Sequence, residues 1–222
     1  MTSRGWSGPA EATTIVLARH GATDHSLRKL FSGGLTGADP ALNETGLAQV
    51  RATADWLASS GLTFDGLVSS PVRRTRETAA VLSERLGLTP DRDEPGFAEM
   101  DFGVWDGLTF AEIQQQHPEE MAAWLGDFET PAGGGESFAV VRERVLAARD
   151  RVVEAYAGRT VVVVSHVSPI KILVADAVGA PLDALYRMEL SLASVSVIAY
   201  YRDGERLRPS LRQFNAGPIV GP

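Results

Sequence analysis

Five stretches of the chain carry the apolar, β-branched pattern of buried strands. Residues 14–18 read Thr-Ile-Val-Leu-Ala, 66–69 form a short second run, and 159–165 enclose Val161-Val162-Val163-Val164. A valine run without polar alternate positions suits a strand covered on both faces. Residues 193–201 alternate and are β-branched, and 207–214 form a weaker candidate at a sheet edge. Helical periodicity fills the gaps. Leu47, Val50, Ala54 and Leu57 recur at helical spacing, with Gly61 as a stop. A helix over 75–86 ends at Gly87. The longest is expected over 137–157, with Val140, Val141, Val145, Ala148 and Val152 on its inner face and Gly158 after it. Ser168-Pro169 opens another, with Ser168 as N-cap and proline at the first helical position, and Gly179 closes it.

Strands alternating with helices predict an α/β protein: a three-layer α/β/α sandwich whose mixed, mainly parallel sheet is flanked by helices on both faces. Residues 97–135 break the alternation. They hold Trp105 and Trp124, helices at 110–116 and after Pro118, and the closing run Pro131-Ala132-Gly133-Gly134-Gly135. They read as an insertion covering the carboxyl edge of the sheet, with both tryptophans as packing residues. Gly133–Gly135 follow no predicted strand, so a flexible lid hinge is expected there instead of a phosphate cradle. Residues 1–12 read as a loose tail and 13–222 as a single domain.

Composition narrows the function. A formal net charge of −7 argues against a broad basic face for nucleic acid. With no cysteine, disulfides, thiolate metal sites and cysteine nucleophiles are excluded, which fits a cytoplasmic protein. No apolar run is long enough to span a bilayer, so no membrane partner is expected. Lys29 and Lys171 are the only lysines, so abundance of arginine is itself uninformative and only arginines placed by a motif count. A homodimer is the working expectation for assembly.

The chemistry lies where predicted strands end. The first stops at Arg19-His20-Gly21-Ala22-Thr23, and the valine run stops at Ser165-His166-Val167-Ser168-Pro169, directly before a helix. The short second strand stops at Ser69-Ser70-Pro71-Val72-Arg73-Arg74-Thr75-Arg76. Ligands bind at the carboxyl ends of strands in open α/β sheets. Arg19, His20, Arg74 and His166 would there surround the oxygens of a phosphoryl group, with guanidinium forks binding it bidentately. An unprotonated histidine nitrogen can attack phosphorus while the cations stabilise the transferring group. The leaving alkoxide needs a proton, and the candidate donor is Glu99. Beside a phosphate dianion, a partly buried carboxyl group favours its acid form and can donate near neutral pH. Asp101 and Asp106 stand close by, and spacing does not separate them from Glu99. His25 reads as a rim residue and His117 as exposed.

These motifs resemble the histidine phosphatase, or phosphoglycerate mutase-like, superfamily. Arg19-His20-Gly21-Ala22-Thr23 is similar to its signature. Phe31-Ser32-Gly33, Leu42-Asn43-Glu44-Thr45-Gly46, the run Ser70 to Ala79, Glu99 to Gly107, Gly135-Glu136-Ser137 and Ser165-His166 follow in the family's order. That register makes Arg74, not Arg73, the second catalytic arginine. The resemblance implies a phosphohistidine at His20, hydrolysed by water. Arg19, Arg74 and His166 would hold the phosphoryl group, Glu99 would serve as acid and then base, and no metal or cofactor would take part. It further implies that Thr23, Ser26, Ser32, Gly33 and Val167 contact the substrate. His-Val-Ser-Pro-Ile-Lys at 166–171 is similar to actinobacterial members described as acid phosphatases.

Two positions depart from the family pattern. Ser26 stands where asparagine is usual, and Val167 where glycine commonly follows the second histidine. The Val167 N–H is expected to face phosphate. A long lysine-bearing segment of the mutase branch has no equivalent, which favours phosphatase over mutase. The expected partner is therefore a small phosphorylated substrate. The competing readings are a phosphoglycerate mutase-type phosphoryl transfer, a non-catalytic phospho-ligand binding module, and a metal-dependent hydrolase using His20, Asp24, His25 and His166. The last is disfavoured because two arginines would repel a divalent cation.

Overall fold

The first strand, β1 (Thr13–Arg19), sends its side chains alternately to two separate cores. Ile15 and Leu17 join one cluster, Val16 and Ala18 the other. The computed structural model of the protein describes residues 11–204 and 206–218, so residues 1–10 of the expected tail lie outside the described residues. The valine run behaves as β1 does. In β4 (Thr160–Ser165), Val161 and Val163 face one cluster and Val162 and Val164 the other.

Around this pair lies one six-stranded sheet. The remaining strands are β2 (Gly66–Ser69), β3 (Pro90–Asp93), β5 (Val195–Asp203) and β6 (Arg206–Ala216), and the order is β3-β2-β4-β1-β5-β6. The first four strands of that order run parallel; β5 and β6 are antiparallel to their neighbours. The expected mixed, mainly parallel sheet is therefore present. β3 has no apolar pattern to betray it. All four of its residues are exposed at the sheet edge, and it forms because β2 offers free backbone groups.

Seven α-helices are described: α1 (Asp24–Leu27), α2 (Glu44–Ala58), α3 (Arg73–Leu86), α4 (Phe110–Gln116), α5 (Pro118–Gly126), α6 (Phe138–Ala155) and α7 (Val167–Val178). Val50, Ala54 and Leu57 of α2 and Ala79 and Leu82 of α3 fill one core; Val141, Val145 and Val152 of α6 and Ile170 and Leu173 of α7 fill the other. Helices thus cover both sheet faces, completing the three layers. No described helix is long and apolar enough to cross a membrane.

Several local expectations need correction. α7 starts one residue before Ser168, with His166 at the N-cap position and no side-chain cap. Ser168 is a first-turn residue because its N–H, like that of Val167, is bound by a carboxylate from elsewhere in the chain. In α6 the inner face is Phe138, Val141, Val145, Ala148, Val152 and Val153, while Val140 is half exposed. Four of the five expected positions, Val141, Val145, Ala148 and Val152, are buried as read, and Val140 lies about 100° round the helix from Val141 and faces out; Ser137 caps α6 by accepting from the Val140 N–H. α2 ends at Ala58 with Ser59 as its C-cap, before Gly61. His117 is half-buried and lies 3.6 Å from Glu120 instead of being exposed.

Residues 97–135 lie against the carboxyl end of β4, where Ser165 Oγ donates to the Phe97 carbonyl at 2.7 Å. This segment is as much core as cover. Phe97, Met100, Phe102, Trp105, Ile113, Met121 and Trp124 all belong to the core on the α6–α7 face of the sheet. Gly133 and Gly135 pass directly against residues 101–103, so closely that a Cβ on Gly133 would meet the Phe102 carbonyl and one on Gly135 the Asp101 carbonyl. Gly133 and Gly135 thus serve a close backbone crossing instead of a free hinge.

Candidate active site

Three neighbouring strands deliver the site. In the order β2-β4-β1, their carboxyl ends release Ser70, His166 and His20 beside one another. Register makes this geometric: Arg19 is the partner of Ser165, and the His20 N–H donates to the Ser165 carbonyl at 3.2 Å. The rings of His20 and His166 consequently lie 5.3 Å apart. Gly21 allows the turn that follows. A Cβ there would come within 2.5 Å of the Gly46 carbonyl oxygen and 2.7 Å of Val50 Cγ2, so α2 could not pack as it does.

A cavity of about 330 Å³ opens at this point, lined among others by Arg19, His20, Arg74, Glu99, Ser32 and Val167. Thr23 and Ser26 also reach it; Gly33 and His166 do not line it. His20 Nδ1 lies 2.8 Å from the Gly21 carbonyl. A carbonyl only accepts, so Nδ1 carries the proton and Nε2 keeps its lone pair. His166 is fully buried behind it, with Nε2 2.8 Å from Ser70 Oγ. Ser70 opens the motif at 70–79, yet nothing in its spacing assigns it a role; only the fold shows that it meets a histidine.

Arg19 donates through Nη1 to the Leu190 carbonyl, and Arg74 donates through Nη2 to the carbonyls of Ser32 and Gly33, both at 3.1 Å. Arg19 Nε, Arg74 Nη1, Ser32 Oγ and His166 Nδ1 are buried without a partner. Buried polar atoms are rarely left so, and four in one place suit an oxygen-rich anion.

Burial dominates the titration of these groups. It holds His20 well below the usual imidazole range, and the charges of Arg74 and Arg19 push the same way. His166 is lowered likewise, by burial first and then by Arg74, His20 and Arg19. Both rings are therefore neutral near pH 7. Burial also pulls Arg19 down to about 10, against the opposing charge of Glu99.

The three acidic neighbours have distinct surroundings. Only Glu99 lines the cavity. Asp106 binds the N–H groups of Gly33 and Ala38, both at 2.7 Å, and so ties down the loop that braces Arg74. Asp101 accepts from Thr36 Oγ1 at 2.6 Å and from the Gly103 N–H at 2.9 Å. Glu99 Oε1 accepts from the Met100 N–H at 2.9 Å, and Oε2 from the Val167 N–H at 3.1 Å.

Three expected substrate contacts look different in place. The Val167 N–H points at Glu99, since the N-terminus of α7 attracts the nearer carboxylate. The Ser26 hydroxyl closes a capping box with Thr23: it accepts from the Thr23 N–H and donates to the Thr23 carbonyl, both at 2.9 Å. The Gly33 N–H is likewise taken by Asp106. His25 stands outside the cavity lining. Among the described residues, no group of three or more His, Cys, Asp or Glu could hold a metal ion.

The chain is similar to known proteins along most of its length. The profile of the histidine phosphatase superfamily (branch 1) matches residues 15–210. A bifunctional protein of Mycobacterium tuberculosis is 44% identical over 204 residues, covering 91% of this chain but 55% of that protein. The chain thus spans little more than half the length of that curated relative. Phosphoserine phosphatase 1 of Hydrogenobacter thermophilus is 31% identical over 185 residues, covering 83% of this chain and 85% of the relative. Among solved structures, a mycobacterial glucosyl-3-phosphoglycerate phosphatase in complex with VO3 superposes with a TM-score of 0.78 at 31% identity, covering 93% of this chain and all of that one. Fold, ordered motifs and profile agree, and the chain belongs to the histidine phosphatase superfamily.

Proposed function

We propose that this chain is a phosphomonoesterase that works through a phosphohistidine at His20 on a small phosphorylated metabolite, in the cytoplasm. The observation that carries the reading is the set of four buried, unpartnered polar atoms, on Arg19, Arg74, Ser32 and His166, gathered around a neutral histidine. Phosphatase relatives and a neighbour that binds VO3 support it.

In this reading His20 Nε2 attacks phosphorus as the bond to the leaving oxygen breaks. Arg19, Arg74 and His166 hold the phosphoryl oxygens through the transition state. Glu99 gives a proton to the leaving oxygen. Its carboxylate then takes a proton from water, whose oxygen attacks phosphorus. The phosphorus–nitrogen bond breaks, its electrons return to Nε2, and inorganic phosphate leaves.

The test is turnover of 4-nitrophenyl phosphate in excess EDTA, with a His20→Ala variant that is inert yet folded and a phosphorylated His20 trapped in the wild type. Full activity in His20→Ala would refute the reading. Isomerisation of 3-phosphoglycerate faster than its hydrolysis would replace it by the mutase reading.

A further inference from the structure

Glu99 is held from two directions. Its carboxylate rests on the N–H groups of Met100 and Val167, while its main chain is gripped by Arg144 of α6, which does not line the cavity. Arg144 Nη1 donates to the carbonyls of Gly96 and Ala98 at 3.0 and 2.8 Å, and Nη2 to that of Glu99 at 3.0 Å. Nε and Nη2 make a fork to the two carboxylate oxygens of Glu136, both at 2.8 Å. These five bonds use every N–H of the guanidinium. Glu136 also accepts the Asp101 N–H at 3.0 Å, and its own N–H donates to the Asp101 carbonyl at 2.8 Å.

The arrangement is more than an ion pair. Three of the five bonds go to carbonyls of the strip that carries Glu99. Residues 98–102 of that strip lie in neither helix nor strand, so no ladder holds the carbonyls of Ala98 and Glu99. Only a planar, five-donor fork can span three carbonyls and a carboxylate at once; an ammonium cannot.

We propose that Arg144, fixed by Glu136, is a positioning residue that sets the Glu99 carboxyl for proton transfer to the leaving oxygen. The inference rests on the phosphatase reading above. It makes a demand that simple structural support does not. As the His20 nitrogen–phosphorus bond forms and the phosphorus–oxygen bond breaks, a poor leaving group needs the Glu99 proton and a good one departs without it.

The experiment measures kcat/KM for glycerol 3-phosphate and for 2,4-dinitrophenyl phosphate in wild type, Arg144→Lys, Glu136→Gln and Glu99→Gln. On the alkyl ester each variant is expected to fall about 30-fold or more, and on the dinitrophenyl ester about 3-fold or less. Arg144→Lys combined with Glu99→Gln should be no worse on the alkyl ester than Glu99→Gln alone. Equal losses on both esters, or no loss, would overturn the inference. Should Arg144→Lys not fold by circular dichroism, the isosteric Glu136→Gln carries the same comparison, and the same outcomes support or overturn the inference. A wild type that turns over neither ester and never phosphorylates His20 would overturn the phosphatase reading, and this inference with it.

Discussion

Ser70 Oγ lies 2.8 Å from Nε2 of His166, and that nitrogen is the only side-chain partner of the hydroxyl among the described residues. With that hydroxyl donating to Nε2, the direction tested below, the ring proton would sit on Nδ1, the atom left without a partner. Nδ1–H can then serve a phosphoryl oxygen. Ser70→Ala should release the tautomer and lower kcat/KM about 10-fold, the effect of one orienting hydrogen bond. Nitrogen-15 spectra of labelled His166 should show mixed tautomers in the variant and a single one in the wild type. An unchanged tautomer and rate would refute this role.

The two buried histidines make stability depend on pH. Their folded-state values lie well below the ordinary 6.5, so between those values and 6.5 the unfolded chain binds more protons than the folded one. Stability is therefore undiminished above pH 6.5 and falls as pH drops below it, by up to about 1.4 kcal/mol per unit for each histidine. Thermal unfolding between pH 5 and 8 should show this slope, and His166→Gln should flatten it by up to half.

Asp106 braces the loop that braces Arg74, through the N–H groups of Gly33 and Ala38. Asp106→Ala should raise KM about 5- to 10-fold and lower stability by about 1–2 kcal/mol. The rise should be the same for aryl and alkyl esters. A loss confined to alkyl esters would instead mark Asp106 as a proton donor.

Gly21→Ala places a methyl group against Gly46 and Val50. Relief requires α2 to shift, at a cost of about 1–3 kcal/mol. Urea denaturation should report that loss, and activity should fall with it because His20 adjoins the displaced turn.

The parts of the fold that depend on local pattern are legible directly. The unbroken apolar runs at 14–18 and 161–164 mark strands covered on both faces, and Asn43, Ser137 and Gly87 bound helices as capping rules require. β3 is not legible because its pairing comes from β2 and not from its own exposed residues. Valine identity misplaces only Val140, because it adjoins Val141 and so lies about 100° off the buried stripe of Val141, Val145, Ala148 and Val152.

The sequence by itself determined which chemistry is available. Strand ends carrying Arg19, His20, Arg74 and His166 follow from period and punctuation, which act over a few residues. Only the tertiary structure decided how those groups are engaged. It separated Glu99 from Asp101 and Asp106, turned the Val167 N–H and the Ser26 hydroxyl away from free donor roles, and joined Ser70 to His166 and Arg144 to the Glu99 strip. Most of those pairings link residues 45 to 96 positions apart. A hydrogen bond at that separation depends on how sheet and helices pack, and no local spacing encodes it.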